Sequence, residues 1–160
     1  MAVIRPIVGE DREAVATLWR GLFDAHADAE PTLGGWRANG AVLDATIGAW
    51  IQDILDGREG FCRVAADGPE TLGFVAGFVR DQPWLDPPRR GVIGALVVAP
   101  RVRRGGIGRA LLTAAEAWFV QEGVTIVEAG IGIANTAARR FWKRAGYGDV
   151  RHIAARSLGT

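Results

Sequence analysis

Val92–Val98 is a continuous apolar run rich in β-branched residues, followed at once by Pro100 and a turn of arginines and glycines. An apolar run without polar alternation is the pattern of a strand covered on both faces. Pro100 ends it, because proline can neither donate to a ladder nor continue one. From Gly106 to Glu122, Leu111, Leu112, Ala115, Trp118 and Phe119 then recur at helical spacing. A strand buried on both sides needs a helical layer over each. The chain therefore reads as an α+β domain, a three-layer α/β/α sandwich spanning residues 1–160.

The rest of the chain fits around that strand. Ala2–Ile7 alternates as a short strand. Gly9-Glu10-Asp11 opens a helix to about Ala27 that carries Val15, Leu18, Trp19 and Leu22 on one face. The polar stretch Asp28–Gly40 breaks it, and Leu43, Ile47, Trp50, Ile51 and Ile54 form the stripe of a second helix stopped at Gly57. Phe61–Ala66 and Leu72–Val79 predict a hairpin, and the proline-bearing segment Asp81–Arg90 a loop. Val124–Ile133 predicts a strand, Thr136–Ala145 a helix capped by Asn135, and Tyr147–Leu158 a closing strand pair. The sheet is expected to be mixed and mostly antiparallel, with about four helices.

Charge is unevenly spread. Residues 1–56 hold nine acids against four arginines, a net of −5, whereas residues 89–160 hold twelve basic residues against four acids, a net of +8. A chain polarised in this way meets an anion with its C-terminal half. Arg103-Arg104-Gly105-Gly106-Ile107-Gly108-Arg109 supplies the place, a glycine-rich basic turn between a buried strand and a helix N-terminus. Amides of such a turn and of a first helical turn lack intrachain acceptors and converge on the positive end of the helix dipole. Glycines let a diphosphate approach the backbone. The sequence lacks the Gly-Lys-Ser/Thr ending of a nucleotide-triphosphate loop. It also lacks the third glycine and the strand context of a dinucleotide fingerprint.

The segment Arg103–Gly108 resembles the pyrophosphate loop of the GCN5-related N-acetyltransferase superfamily, Gln/Arg-x-x-Gly-x-Gly/Ala. Downstream, Asn135, Ala138, Phe141, Trp142, Gly146 and Tyr147 are similar to the family's Asn-x-x-Ala-x-x-aromatic-aromatic-x-x-x-Gly-aromatic pattern. Upstream, Glu70–Gly77 looks like its third strand. The resemblance implies acetyl-CoA or coenzyme A as co-substrate, no metal, and a sheet whose central strands splay apart. It implies that coenzyme A is held by Leu96, Val97, Val98, Arg103, Arg104, Gly105, Gly106, Ile107, Gly108 and Arg109. Asn135, Ala138, Arg139, Phe141, Trp142 and Lys143 follow from the second helix motif, with Arg140 on the same helix. A backbone N–H near Leu96 or Val97 would polarise the thioester.

Two departures stand out. The family's leaving-group tyrosine is replaced by Trp142, whose indole is no useful acid. The segment Gly91–Leu96 carries no glutamate to serve as the base that some relatives have on their fourth strand. His26, Glu30 and Glu128 are the remaining candidates for proton transfer, His26 having the suitable intrinsic pKa. His26 at a helix end also reads as a cap, and Asn135 as a cap of the following helix.

The acceptor implied is a small-molecule or peptide amine of cationic character. Asp24, Asp28, Glu30, Asp44, Asp53 and Asp56 face it against Arg37 alone, with Trp36, Trp50 and Trp84 as possible stacking surface. A non-catalytic acyl-CoA-binding module and a nucleic-acid-binding domain are the rival readings. The arginines cluster at one turn rather than along a stripe with aromatics, so nucleic acid is not the expected partner. Cys62 is the single cysteine, which excludes an internal disulfide and fits a reducing cytoplasm. No apolar run reaches the length of a membrane span, so no membrane partner is expected. The resemblance also implies a homodimer as the form of any self-association, through an exposed sheet edge or an apolar helix face.

Overall fold

The computed structural model describes residues 1–30, 39–156 and 158. Five strands, β1 (Val3–Pro6), β2 (Phe61–Asp67), β3 (Glu70–Asp81), β4 (Arg89–Val98) and β5 (Val127–Ala129), form one sheet in chain order. The first four pair antiparallel and β5 lies parallel to β4. Helices α1 (Arg12–Ala29) and α2 (Gly40–Leu55) precede the hairpin. Helix α3 (Ile107–Gln121) crosses between β4 and β5, and α4 (Thr136–Arg144) follows β5.

The predicted stripes are the packed ones. Val15, Trp19, Ile47 and Ile51 bury against Val64, Phe74, Ala76, Ala95 and Val97 on one face of the sheet. Leu111, Leu112, Ala115, Phe119 and Trp142 bury against Phe61, Ala65, Val75 and Ile93 on the other. The helices thus form two layers with the sheet between them, as the doubly covered β4 requires.

At the N-terminal end, the buried Asp11 carboxylate holds β1 to α1 and β3. It accepts from Arg5 at 2.6 and 2.9 Å, from the Val8 amide at 2.9 Å and from the Thr71 hydroxyl at 3.2 Å. Asp11 belongs to a short 3-10 turn, Gly9–Asp11, that precedes α1. Burial alone would raise its pKa. The Arg5 and Val8 hydrogen bonds outweigh that, and the carboxyl lies below its ordinary value.

Three boundaries differ from the sequence reading. β3 and β4 extend into the predicted loop, leaving 82–88 as the connection, because Arg80, Asp81, Arg89 and Arg90 continue the ladder. β5 has three residues instead of the ten expected over Val124–Ile133; Val124 is instead buried in the core beneath α3. The closing strand pair of Tyr147–Leu158 is absent from the described residues. Tyr147 turns inward, its amide donating to Trp142 O at 3.0 Å, and a three-residue β5 offers little ladder to extend. Val150 and Ile153 are left exposed. Residues 31–38 of the predicted break, including Trp36 and Arg37, lie outside the described residues. Among those described, no helix is long and apolar enough to cross a membrane.

Candidate functional site

The site grows from one irregularity in β4. Its pairing with β3 slips between Ala76 and Gly77, so that Gly77 faces Ile93, Ala76 faces Ala95, and Gly94 is the extra residue. The isolated glycine inside an apolar run is the only sign of this in the sequence. The slip reverses the alternation of the strand. Ile93 packs toward α3, yet Ala95 and Val97 pack toward α1 and α2, while Leu96 and Val98 take the α3 side.

The backbone reverses with it. Before the bulge, the Gly91 amide donates across to Ile126 O of the β5 segment at 2.9 Å. After it, the Ala99 amide donates to Leu72 O beside β3 at 2.8 Å. Amides alternate in direction along an extended strand, so those of Ala95 and Val97 face β3 and those of Leu96 and Val98 face away from it. β5 does not meet them: its pairing with β4 ends at Ile93 and Ala129. β5 ends at Ala129, so from Gly94 onward β4 has no paired strand on this side and its edge is open.

That edge runs into the cradle. Arg104 and Gly106 have φ of 67° and 81°, left-handed values that curl the chain from β4 into α3. The first intrahelical bond of α3 joins Ala110 N–H to Gly106 O. The amides of Ile107, Gly108 and Arg109 stand ahead of it without intrahelical acceptors. A β-carbon at Gly108 would lie 3.3 Å from Phe141 Cε2 and 3.7 Å from Val98 Cγ2. β4, α3 and α4 therefore converge on this glycine.

The arginines divide. Arg101 is held by Glu70, and Arg103 Nε donates to Val98 O at 3.1 Å on the open edge. Arg104 and Arg109 are exposed and enter no ion pair among the described residues. On α4, Arg139 reaches Asp149 at 3.8 Å, whereas Arg140 and Lys143 are exposed. Asn135 Oδ1 accepts from the Ala138 amide at 3.0 Å and so caps α4. Phe141 is half-buried at the cradle. Trp142 is buried in the core, edge-on to Tyr147 with ring centroids 4.8 Å apart.

The acid–base candidates occupy different places. His26, in the last turn of α1, lies against the β5–α4 connection, its Nδ1 3.5 Å from where a Gly132 β-carbon would stand. Burial lowers its pKa, which favours the neutral imidazole. Glu30 ends the same helix, its amide bonded to His26 O at 3.0 Å. Glu128 sits beside Val92 in the middle of β5, held by Arg90 at 3.0 Å and Arg151 at 3.7 Å. The Cys62 thiol is buried under α1 and α2; desolvation pushes it up to about 12, so it stays protonated.

The expected acidic surface is partly cancelled. Asp44 pairs with Arg20 at 3.2 Å, and Asp53 and Asp56 pair with Arg58. Asp24, Asp28 and Glu30, at the C-terminal end of α1, form no ion pair among the described residues. Trp84 is exposed on the 82–88 connection.

Known proteins share the fold of this chain. A GCN5-related N-acetyltransferase from Ralstonia eutropha superposes with a TM-score of 0.79 at 22% identity, covering 99% of this chain and 100% of that one. A predicted acetyltransferase from Clostridium acetobutylicum, solved with acetyl-CoA, gives 0.79 at 14% identity, with 99% and 97% covered. An aminoglycoside N-acetyltransferase in complex with CoA gives 0.71 at 18% identity, with 99% and 96% covered. These likenesses are of fold. No curated protein sequence matches the chain significantly. The model of the Acetyltransferase (GNAT) family matches residues 19–147, four-fifths of the length, and the chain therefore belongs to that family.

Proposed function

We propose that the protein transfers an acetyl group from acetyl-CoA to a primary amine by direct attack within a ternary complex. The observation that carries this reading is the open edge of β4 from Gly94 to Val98, continuous with the cradle at Arg103–Arg109. Such an edge suits a pantetheine arm, which pairs with backbone groups as an added strand would. The amides of Ile107, Gly108 and Arg109, with Arg104 and Arg109, suit the pyrophosphate.

The chemistry follows from what the edge offers. A thioester beside Leu96 meets an N–H that faces the gap, and that donor stabilises the developing oxyanion. The amine nitrogen forms its bond to the carbonyl carbon, the carbon–sulfur bond breaks, and the thiolate departs with the electron pair. A cationic acceptor gives up one proton before its nitrogen attacks and a second once the carbon–nitrogen bond has formed, and the thiolate takes one up. His26 is the preferred first acceptor, since its burial keeps it neutral near pH 7, while Glu30 is adjacent. Glu128 is disfavoured, being engaged by two arginines. Water serves as proton donor to sulfur, as Trp142 is buried and has no suitable acid.

The unpaired acids Asp24, Asp28 and Glu30 at the end of α1 favour a cationic acceptor. A polyamine, an aminoglycoside, an amino acid and a protein amine all satisfy that chemistry. One neighbour of like fold is an aminoglycoside N-acetyltransferase. The test is a thermal-shift titration with acetyl-CoA, with coenzyme A and ATP as controls, on the wild type and Gly106→Glu. Stabilisation lost in the variant supports the cradle and leads to an amine screen by thiol release. No shift at millimolar acetyl-CoA removes the transferase reading. Binding without thiol release across the amine panel favours a non-catalytic acyl-CoA-binding module, consistent with the missing tyrosine and strand glutamate.

A further inference from the structure

We propose that Trp50 closes the acyl end of the site and limits the transferred group to acetyl. This inference rests on the function proposed above and extends it to the choice of acyl donor.

Pairing of β4 with β5 ends at Ile93 and Ala129, where β5 itself stops, so Gly94 is the first β4 residue of the unpaired edge and marks the vertex of the gap. A β-carbon built there would lie 3.3 Å from Cη2 and 3.9 Å from Cζ2 of Trp50. The indole of α2 thus covers Gly94 from the α1–α2 face of the sheet, where the gap begins. It is held there from behind. Trp19 meets it edge-on with ring centroids 4.3 Å apart, and Trp19 in turn packs on the fully buried Phe74 at 5.2 Å. A ring anchored through a second indole to the sheet does not swing aside for a ligand.

The direction of the arm brings the acyl group to this ring. It enters at the cradle beyond Val98 and runs back along the edge, so a carbonyl on the Leu96 amide leaves the acyl chain pointing toward Gly94. Two carbons fit before the vertex; further methylenes meet the indole. On its other side Trp50 borders an open, solvent-facing groove along α2, lined by Ala41, Val42, Ala45, Thr46, Ala49 and Asp53. Removing the indole would open the acyl end of the gap toward this solvent-facing side of α2, where a longer chain has room. Glycine at 94 fits the same role, since a methyl group there would press on the indole and narrow the vertex.

The test measures binding of coenzyme A, acetyl-CoA, butyryl-CoA and octanoyl-CoA by calorimetry to the wild type, Trp50→Ala, Trp50→Phe and Gly94→Ala. Wild type should bind butyryl-CoA about tenfold more weakly than acetyl-CoA, the scale on which a pocket rejects extra methylenes. Trp50→Ala should erase or reverse that preference and admit octanoyl-CoA, while free coenzyme A, which has no acyl group, should bind as before. Trp50→Phe, the variant of choice if alanine fails to fold, should widen acceptance to butyryl but not octanoyl. Gly94→Ala should weaken acetyl-CoA relative to coenzyme A. A wild type that binds butyryl-CoA as well as acetyl-CoA overturns the proposal alone. So does a folded Trp50 variant that keeps the wild-type ratio. Failure of the wild type to bind coenzyme A at all overturns the proposed function, and this inference with it.

Discussion

The Tyr147 hydroxyl donates to a carboxylate oxygen of Glu116 at 3.1 Å, tying the turn after α4 to the middle of α3. The two helices that meet at Gly108 are thereby fastened a second time, at the far end of α4. Burial pushes the phenol above the usual tyrosine range, and the negative charge of Glu116 and the hydrogen bond to it push in the same direction. Tyr147 is the only tyrosine, so its ionisation can be followed by absorbance without ambiguity. The folded protein should show no phenolate at pH 10.5, and phenolate should appear on unfolding. Because the folded pKa is the higher one, stability from this group is complete below pH 10 and falls as pH rises above it. Tyr147→Phe should cost about 1.5 kcal/mol, read as a lower melting temperature, because a bond to a charged acceptor is lost. Normal phenolate absorbance in the folded state at pH 10.5 would refute this.

Gly106 and Gly108 should separate backbone from packing at the cradle. Gly106 adopts a left-handed φ with nothing near its β-carbon position, so Gly106→Ala should cost about 1 kcal/mol of stability and weaken acetyl-CoA only modestly. Gly108→Val must displace Phe141 or Val98 and should remove most acetyl-CoA binding. Calorimetry on both variants distinguishes them, and equal losses of affinity would contradict the distinction.

His26 should set the acid limb of activity. Its pKa is depressed by burial, so the imidazole becomes charged only below the ordinary value of 6.5. With a responsive amine, kcat/KM should fall as pH drops below 6.5. His26→Gln should flatten that limb and lower kcat about a hundredfold. An unchanged limb in the variant would transfer the role to another group.

Asp11 should govern stability in acid. Its folded pKa lies below the unfolded one, so its contribution is present above pH 4 and is lost as pH falls through the folded value. Asp11→Asn should destabilise by about 3 kcal/mol at pH 7, since the charge facing Arg5 is lost and one of its two acceptor oxygens becomes an NH2 group. The difference between variant and wild type should shrink below pH 3. Urea denaturation at pH 7 and pH 3 measures both quantities.

What the sequence reveals follows the range of the interactions involved. The doubly covered strand and the helix stripes depend on neighbours three or four residues apart, and Ile47, Ile51, Leu111 and Phe119 all lie where their spacing predicts. The cradle is likewise local, its glycines and arginines adjacent in the chain. Asn135 shows both the reach and the limit of such reading: its capping bond to Ala138 follows from sequence, whereas its nearness to His26 depends on how α1 meets the β5–α4 connection. Trp50 is another such case. Its place on the α2 stripe is plain, but its contact with Gly94 requires the helix to be laid across β4. The strand expected at Tyr147–Leu158 needed a long β5 as partner, and partner length is a tertiary property.

The bulge at Gly94 has a consequence for how this strand tolerates change. It divides β4 into two frames, one keyed to β5 and the other to the gap, and every residue from Ala95 to Val98 depends on that single offset. Removing one residue between Ile93 and Val98 would exchange inside for outside over the whole second frame. Val97 would turn from the α1–α2 core toward α3, and the Leu96 amide would turn away from the gap. Substitutions along this stretch can be absorbed one at a time, but a change in its length cannot.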